Sequence, residues 1–189
     1  MEPTILFLIG LPASGKSTIG KMIASQFDFC YLDKDVVCNT FTGQLLELQG
    51  HPPSDRECIF YQDVVMKLEY KTLLDIANDN LKIGRSVVID APFISYFSDI
   101  HYVENLKEAY EWKNVTPLVL QVHVDFPILK SRMIERAVNR DQWKLEHWDS
   151  YIKSVQKKSC LWENAKIVQF NNNNPSINTQ DLQDLFQSL

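Results

Sequence analysis

A chain of 189 residues with 45% hydrophobic and 23% charged side chains has ordinary globular composition, and folding would bury roughly 70% of the surface the unfolded chain exposes. Its formal net charge of −5 argues against a main task of tracking a nucleic-acid backbone, and no apolar run approaches the length of a bilayer. Met1-Glu2-Pro3 leads directly into an apolar stretch and does not read as a cleaved signal, so a cytoplasmic location with no membrane partner is expected.

Thr4-Ile5-Leu6-Phe7-Leu8-Ile9 is wholly apolar, the pattern of a strand buried on both faces. Gly10-Leu11-Pro12-Ala13-Ser14-Gly15-Lys16-Ser17-Thr18 follows and fits G-x-x-x-x-G-K-[ST]. Behind it Ile19, Met22, Ile23 and Phe27 recur at helical spacing, giving a helix over Lys16–Gln26. Strand, glycine-rich turn and helix in this order distinguish a phosphate loop from a chance match. A polyphosphate needs many converging donors; the curled backbone and the helix N-terminus supply them. Gly10, Pro12, Ala13, Ser14, Gly15, Lys16, Ser17 and Thr18 are thus the expected ATP-binding residues. Lys16 is expected to reach the outer phosphates, and Ser17 to offer its hydroxyl to Mg²⁺. Ala13 stands where many such loops carry another glycine.

Asp28–Asp33 reads as a second strand ending in Asp33-Lys34-Asp35. Two acids and a lysine there fall where open α/β sheets hold their ligands, although a turn that merely caps the next helix has the same composition. Val36–Leu48 has a weak helical pattern, and Gln49–Pro53 is a break. Ser54 and Glu57 form a capping box that opens a long helix to Leu81, which Gly84 stops. Ser86–Asp90 is a third strand whose terminal acid has the Walker B arrangement, which makes Asp90 the expected partner of Ser17 at Mg²⁺. A helix is expected over Ser98–Trp112, a fourth strand over Thr116–Val124, and a helix opened by Asp125-Phe126-Pro127. On that helix Arg132, Arg136 and Arg140 recur every four residues, with Glu135 and Asp141 able to neutralise part of the row. A helix over Trp148–Ser159, a fifth strand over Ala165–Phe170, a polar loop at Asn171–Asn174 and an amphipathic helix through Leu182, Leu185, Phe186 and Leu189 complete the chain.

Cys30, Cys38, Cys58 and Cys160 show no C-x-x-C spacing and no histidine at ligand spacing. Reduced thiols are expected, and a structural zinc site is not.

The phosphate loop after the first strand and the arginines after the fourth resemble the small P-loop kinases of the nucleoside-monophosphate-kinase-like class, whose members include polynucleotide 5′-kinase, zeta toxin, chloramphenicol phosphotransferase and gluconate kinase. The resemblance spans essentially the whole chain as a single domain over 1–189. It implies a three-layer α/β fold with a five-stranded parallel sheet of order 2-3-1-4-5, a helical acceptor flap at about 36–82 and a lid at about 127–148. In the polynucleotide-kinase relatives an acid after the second strand takes the acceptor's proton. The matching residue here is Asp35, with Asp33 assisting or binding the acceptor. An arginine three positions later in those relatives is Cys38 here, which weakens a polynucleotide assignment.

The expected activity is therefore transfer of the γ-phosphoryl group of ATP to a hydroxyl of a small-molecule acceptor. Lys16, Asp35, Arg136 and Arg140 would carry it, and Mg²⁺ would be held by Ser17 and Asp90. Two alternatives stay open: a polynucleotide 5′-hydroxyl kinase, and a nucleotide-dependent switch that hydrolyses ATP without an acceptor. A nucleic-acid partner is not expected, and the sequence leaves the oligomeric state open.

Overall fold

The computed structural model describes residues 2–174 with Ile177, Gln180 and Leu182, excepting the side chain of Arg140. Strands β1 (Thr4–Gly10), β2 (Cys30–Asp33), β3 (Val87–Asp90), β4 (Thr116–His123) and β5 (Lys166–Asn171) form one sheet in the order β2-β3-β1-β4-β5. Every pairing is parallel, so this is the α/β sheet order that the resemblance implies. The register sets Leu8 of β1 and Asp33 of β2 each opposite Asp90 of β3, and Gly10 opposite Val122 of β4. The C-terminal ends of four strands thereby share one edge.

Alternation along β1 divides the core. Ile5, Phe7 and Ile9 point to one face, packing with Leu73 and Ala77 of α3 (Met66–Lys82), Val103 of α4 (Tyr102–Ala109) and Trp162. Leu6 and Leu8 point to the other, against Ile19 and Ile23 of α1 (Lys16–Phe27) and against Leu182. Burial on both faces is why β1 and β3 are unbroken apolar runs rather than alternating ones. Of the expected closing helix, Leu182 is fully buried, while Leu185, Phe186 and Leu189 lie outside the described residues.

Several boundaries differ from the sequence reading. Helix α2 (Lys34–Leu48) starts directly from β2, because the Asp33 carboxylate accepts the backbone N–H groups of Asp35 and Val36. Ser54 does not open the next helix. The Asp55 N–H donates to Pro52 O, and the Asp55 carboxylate takes the N–H groups of Glu57 and Cys58 instead. A π-helical turn over Tyr61–Val65 then runs into α3. The expected helix over Ser98–Trp112 is shorter, a 3₁₀ turn at Ile94–Tyr96 followed by α4.

Helix α5 (Phe126–Arg136) ends where Ala137 turns left-handed, with φ 47°. Arg140 consequently sits on a separate 3₁₀ turn, Asn139–Asp141, so the row of three arginines does not run along one helix. Helices α6 (Gln142–Glu146) and α7 (Trp148–Val155) follow, α7 stopping short of Ser159. Among the described residues no helix is long and apolar enough to cross a membrane.

Helix α1 lies unusually close to the sheet at Gly20. A Cβ there would meet the Tyr31 ring at 2.7 Å and Leu8 at 2.9 Å. Gly20→Ala should therefore cost about 1–3 kcal/mol through overpacking, despite the better helix propensity of alanine. Urea denaturation measures this, and a gain in stability would show that Tyr31 yields freely.

Candidate active site

The loop between β1 and α1 is shaped by its backbone. Gly10 and Gly15 have φ of 147° and 90°, and Ala13 is left-handed at φ 65°. That last value explains why glycine is common at this position, since alanine tolerates it only with strain. A Cβ on Gly10 would lie 2.6 Å from Val122 O, so the loop needs its first glycine for close approach to β4 as well. The amide of Asn172, just beyond β5, donates to Ser14 O at 2.8 Å and holds the far side of the loop. Lys16 is largely buried, and its ammonium donates to Leu11 O at 3.0 Å across the loop.

A cavity of about 520 Å³ opens over this loop. Pro12, Ala13 and Gly15 to Thr18 contribute its floor; Asp33, Lys34 and Asp35 with Tyr61 and Tyr70 line one side; Arg132, Arg136 and Lys144 line another. Pro12, Ala13, Gly15, Lys16, Ser17 and Thr18 thus border one space with Asp33, Asp35, Asp90 and Arg136, while Gly10 and Ser14 lie on the other side of the loop, toward β4 and α5.

Asp90 is 5% exposed at the end of β3. Burial pushes its carboxyl up, and Lys16 with hydrogen bonds from Ser17 and Tyr31 pulls it back toward the ionised form. The Tyr31 hydroxyl donates to Asp90 Oδ2 at 2.8 Å and lies 3.4 Å from Asp33 Oδ2. Burial, and then the Asp90 charge, keeps that phenol protonated far above neutral pH. Ser17, Asp90 and Asp33 thus supply only hard oxygen donors at one edge, a donor set that suits Mg²⁺.

The two acids after β2 differ in role. Asp33 is occupied as the cap of α2, as the simpler reading of that turn allows. Asp35, in the first turn of α2, faces the cavity. Lys34 between them turns inward. Its ammonium pairs with Glu69 Oε2 at 2.6 Å, Glu69 being fully buried on α3. Tyr61 donates to the same oxygen at 2.9 Å, and Thr42 to Oε1 at 2.6 Å. Both oxygens of that carboxylate are therefore hydrogen-bonded, as a buried ion pair needs. Cys38 is equally buried and donates toward Glu69 O at 3.8 Å, its thiol pushed up to about 11 by burial and then by the Glu69 charge. It does not line the cavity.

Two further arginines are braced. Arg136 Nε donates to Asp141 Oδ2 at 2.6 Å, Asp141 being 1% exposed, whereas Glu135 accepts from Ser131 instead. Arg132 donates to Asn174 O at 3.1 Å. The side chain of Arg140 lies outside the described residues. On the opposite wall Arg56 donates to Pro53 O and Asn39 Oδ1, with its guanidinium 5.0 Å from the Tyr61 ring centre. Sequence reading gave no weight to Tyr31, Arg56, Glu69 or Asn172.

The wall after Asp90 is set by aromatic packing. Phe93 is left-handed at φ 54° and fully buried, its N–H donating to Tyr70 OH at 3.0 Å. Its ring meets Tyr70 at 4.7 Å and Phe7 at 5.4 Å, which lays Ala91-Pro92 along the cavity. Removing one partner of the Lys34–Glu69 pair leaves a buried charge. Glu69→Ala should cost about 3–5 kcal/mol, whereas replacing both with apolar residues should recover most of it. Chemical denaturation of the single and double variants measures the difference.

A family model described as an AAA domain matches residues 5–157. A 39-residue stretch is 46% identical to the shikimate kinase of Synechococcus elongatus, covering 21% of this chain and 20% of that enzyme. The match thus spans about a fifth of the curated relatives' length. Among solved structures, a candidate kinase from Chloroflexus aurantiacus j-10-fl has TM-score 0.69 at 19% identity, covering 100% of both chains. A sugar kinase from Janibacter sp. HTCC2649 has TM-score 0.62 at 15% identity, covering 100% of this chain and 94% of that one. These two likenesses concern the fold. The phosphate loop lies inside the matched span, and the chain belongs to the P-loop AAA-domain family.

Proposed function

We propose that the protein is a kinase that transfers the γ-phosphoryl group of ATP to a hydroxyl of a small, hydroxyl-rich acceptor. The observation that carries this is the shared cavity: Asp35 borders the same space as Lys16, Ser17 and Asp90. A switch protein needs the phosphate loop and a metal-binding acid, but has no use for a second acid on a wall built by two additional helices. Relatives named as sugar and shikimate kinases support an acceptor of that class.

In this reading the acceptor hydroxyl gives its proton to Asp35 as its oxygen forms the new bond to phosphorus. The bond from the γ-phosphorus to the bridging oxygen breaks, and ADP leaves with the electron pair. Lys16 and the loop N–H groups hold the phosphates, and Arg136, aimed by Asp141, offsets charge on the transferring group. Ser17 and Asp90 would hold Mg²⁺, which supplies charge neutralisation on the β- and γ-phosphates. Helices α2 and α3 act as the acceptor flap and the stretch from α5 to α6 as the lid, within one domain. Arg56, held by Pro53 and Asn39 with no carboxylate partner among the described residues, favours an acceptor that carries an anionic group. The burial of Cys38 leaves no side chain at that position to hold a nucleic-acid 5′ end.

Lys16→Ala should abolish turnover and weaken Mg-ATP binding without unfolding the chain, as calorimetry and circular dichroism would report. Asp35→Asn preserves size and leaves the Asp33 cap of α2 in place, but accepts no proton. Acceptor phosphorylation should fall by about two to four orders of magnitude while ATP still binds. The assay is a screen of small hydroxylated metabolites for ATP-dependent mass gain of one phosphate. ATP loss to water with no phosphorylated product would favour the switch instead.

A further inference from the structure

The connection between α2 and the π turn brings together three side chains that the sequence alone does not pair. The donor atoms of His51, Asp55 and Cys58 all lie within 4.8 Å of one another. We propose that these three residues form a binding site for a zinc-class divalent ion. The site lies on the outside of the acceptor wall, apart from the Ser17 and Asp90 edge.

The donors are one nitrogen, one oxygen and one sulfur, the set that favours zinc and its borderline-soft neighbours over magnesium or calcium. The geometry is close to what such an ion requires. Ligand atoms in a tetrahedral zinc site stand about 3.3–3.8 Å apart at the bond lengths zinc prefers. His51 Nδ1 and Asp55 Oδ2 are already at 3.5 Å. Asp55 is fixed in orientation, because Oδ1 accepts the N–H groups of Glu57 at 3.0 Å and Cys58 at 3.1 Å, which turns Oδ2 toward the histidine. Backbone bonds fix the loop as well: the His51 N–H donates to Leu46 O at 2.9 Å and the Asp55 N–H to Pro52 O at 3.0 Å.

Cys58 Sγ accepts the Tyr61 N–H at 3.4 Å and lies 3.8 Å from Asp55 O, to which the thiol donates, so the sulfur is held in place beside Asp55. On binding, the thiol proton passes to solvent, and one thiolate with one carboxylate offsets the double positive charge. The nearby cation, Arg56, is held away by Pro53 and Asn39. Three protein ligands leave a fourth position for water. Because Tyr61 opens the π turn three residues after Cys58 and donates to Glu69, an ion here would brace the outer wall of the cavity.

Titration of the tag-free, chelator-stripped chain with Co²⁺ tests this. The expected result is a one-to-one complex with a sulfur-to-cobalt charge-transfer band and visible bands of tetrahedral intensity, displaced by Zn²⁺. Cys58→Ser should lose the charge-transfer band, while Cys30→Ser should keep it. Asp55→Asn, which still caps the turn, should weaken Co²⁺ binding by upwards of about tenfold without unfolding. Zn²⁺ should raise the melting temperature of the parent chain and not that of His51→Ala. A charge-transfer band that survives in Cys58→Ser, or no band at equimolar metal, overturns the assignment.

Discussion

The parallel register of the sheet is the constraint on which the rest depends. Because β1, β2 and β3 run in one direction and pair as Leu8 with Asp90 and Asp33 with Asp90, the phosphate loop, the capping acid and the strand-end acid emerge at one edge. Parallel strands require crossover helices, which cover both faces. That cover leaves Asp90 buried, where desolvation pushes its carboxyl up while Lys16, Ser17 and Tyr31 pull it down. Shift β3 by one residue and Asp90 would point into the opposite core.

A second constraint works on α2. Three charged residues follow one another at Asp33, Lys34 and Asp35, and helical geometry sends consecutive side chains in different directions. Glu69 draws the lysine inward, where its ammonium also lies 6.0 Å from the Tyr70 ring. The pair is costly to desolvate, and apolar residues of similar volume would stabilise the helix contact about as well. Its effect is positional. With the Lys34 ammonium committed to Glu69 and Asp33 Oδ1 to the backbone of α2, Asp35 borders the cavity from the first turn of the helix, beside Asp33.

The strands and the phosphate loop were legible because their signals are local: unbroken apolar runs, two glycines, a lysine, and an acid at a strand end. Sheet order came from resemblance, since periodicity says nothing of which strands are neighbours. Glu69 was invisible because its partners Lys34 and Thr42 stand 35 and 27 residues away. Tyr31 looked like core, and only the register beside Asp90 reveals its hydroxyl's task. Asn172 was lost in a run of four asparagines that sequence alone cannot rank. The helix after β4 was overextended because Arg132, Arg136 and Arg140 keep a four-residue interval across a break that a left-handed alanine makes, and alanine is an unusual residue to end a helix.

Asn172 carries a consequence for how the chain can be shortened. The family match ends at residue 157, yet β5 and Asn172 lie beyond it. A fragment cut at that limit would keep all the phosphate-loop residues while losing the amide that holds Ser14 O. It would also leave β4 as an open edge along Leu118 to His123, offering unpaired backbone groups and an apolar surface to a second copy. A fragment that keeps the phosphate loop braced as it is in the whole chain is therefore longer than the matched family segment, and the shorter one is expected to associate through β4.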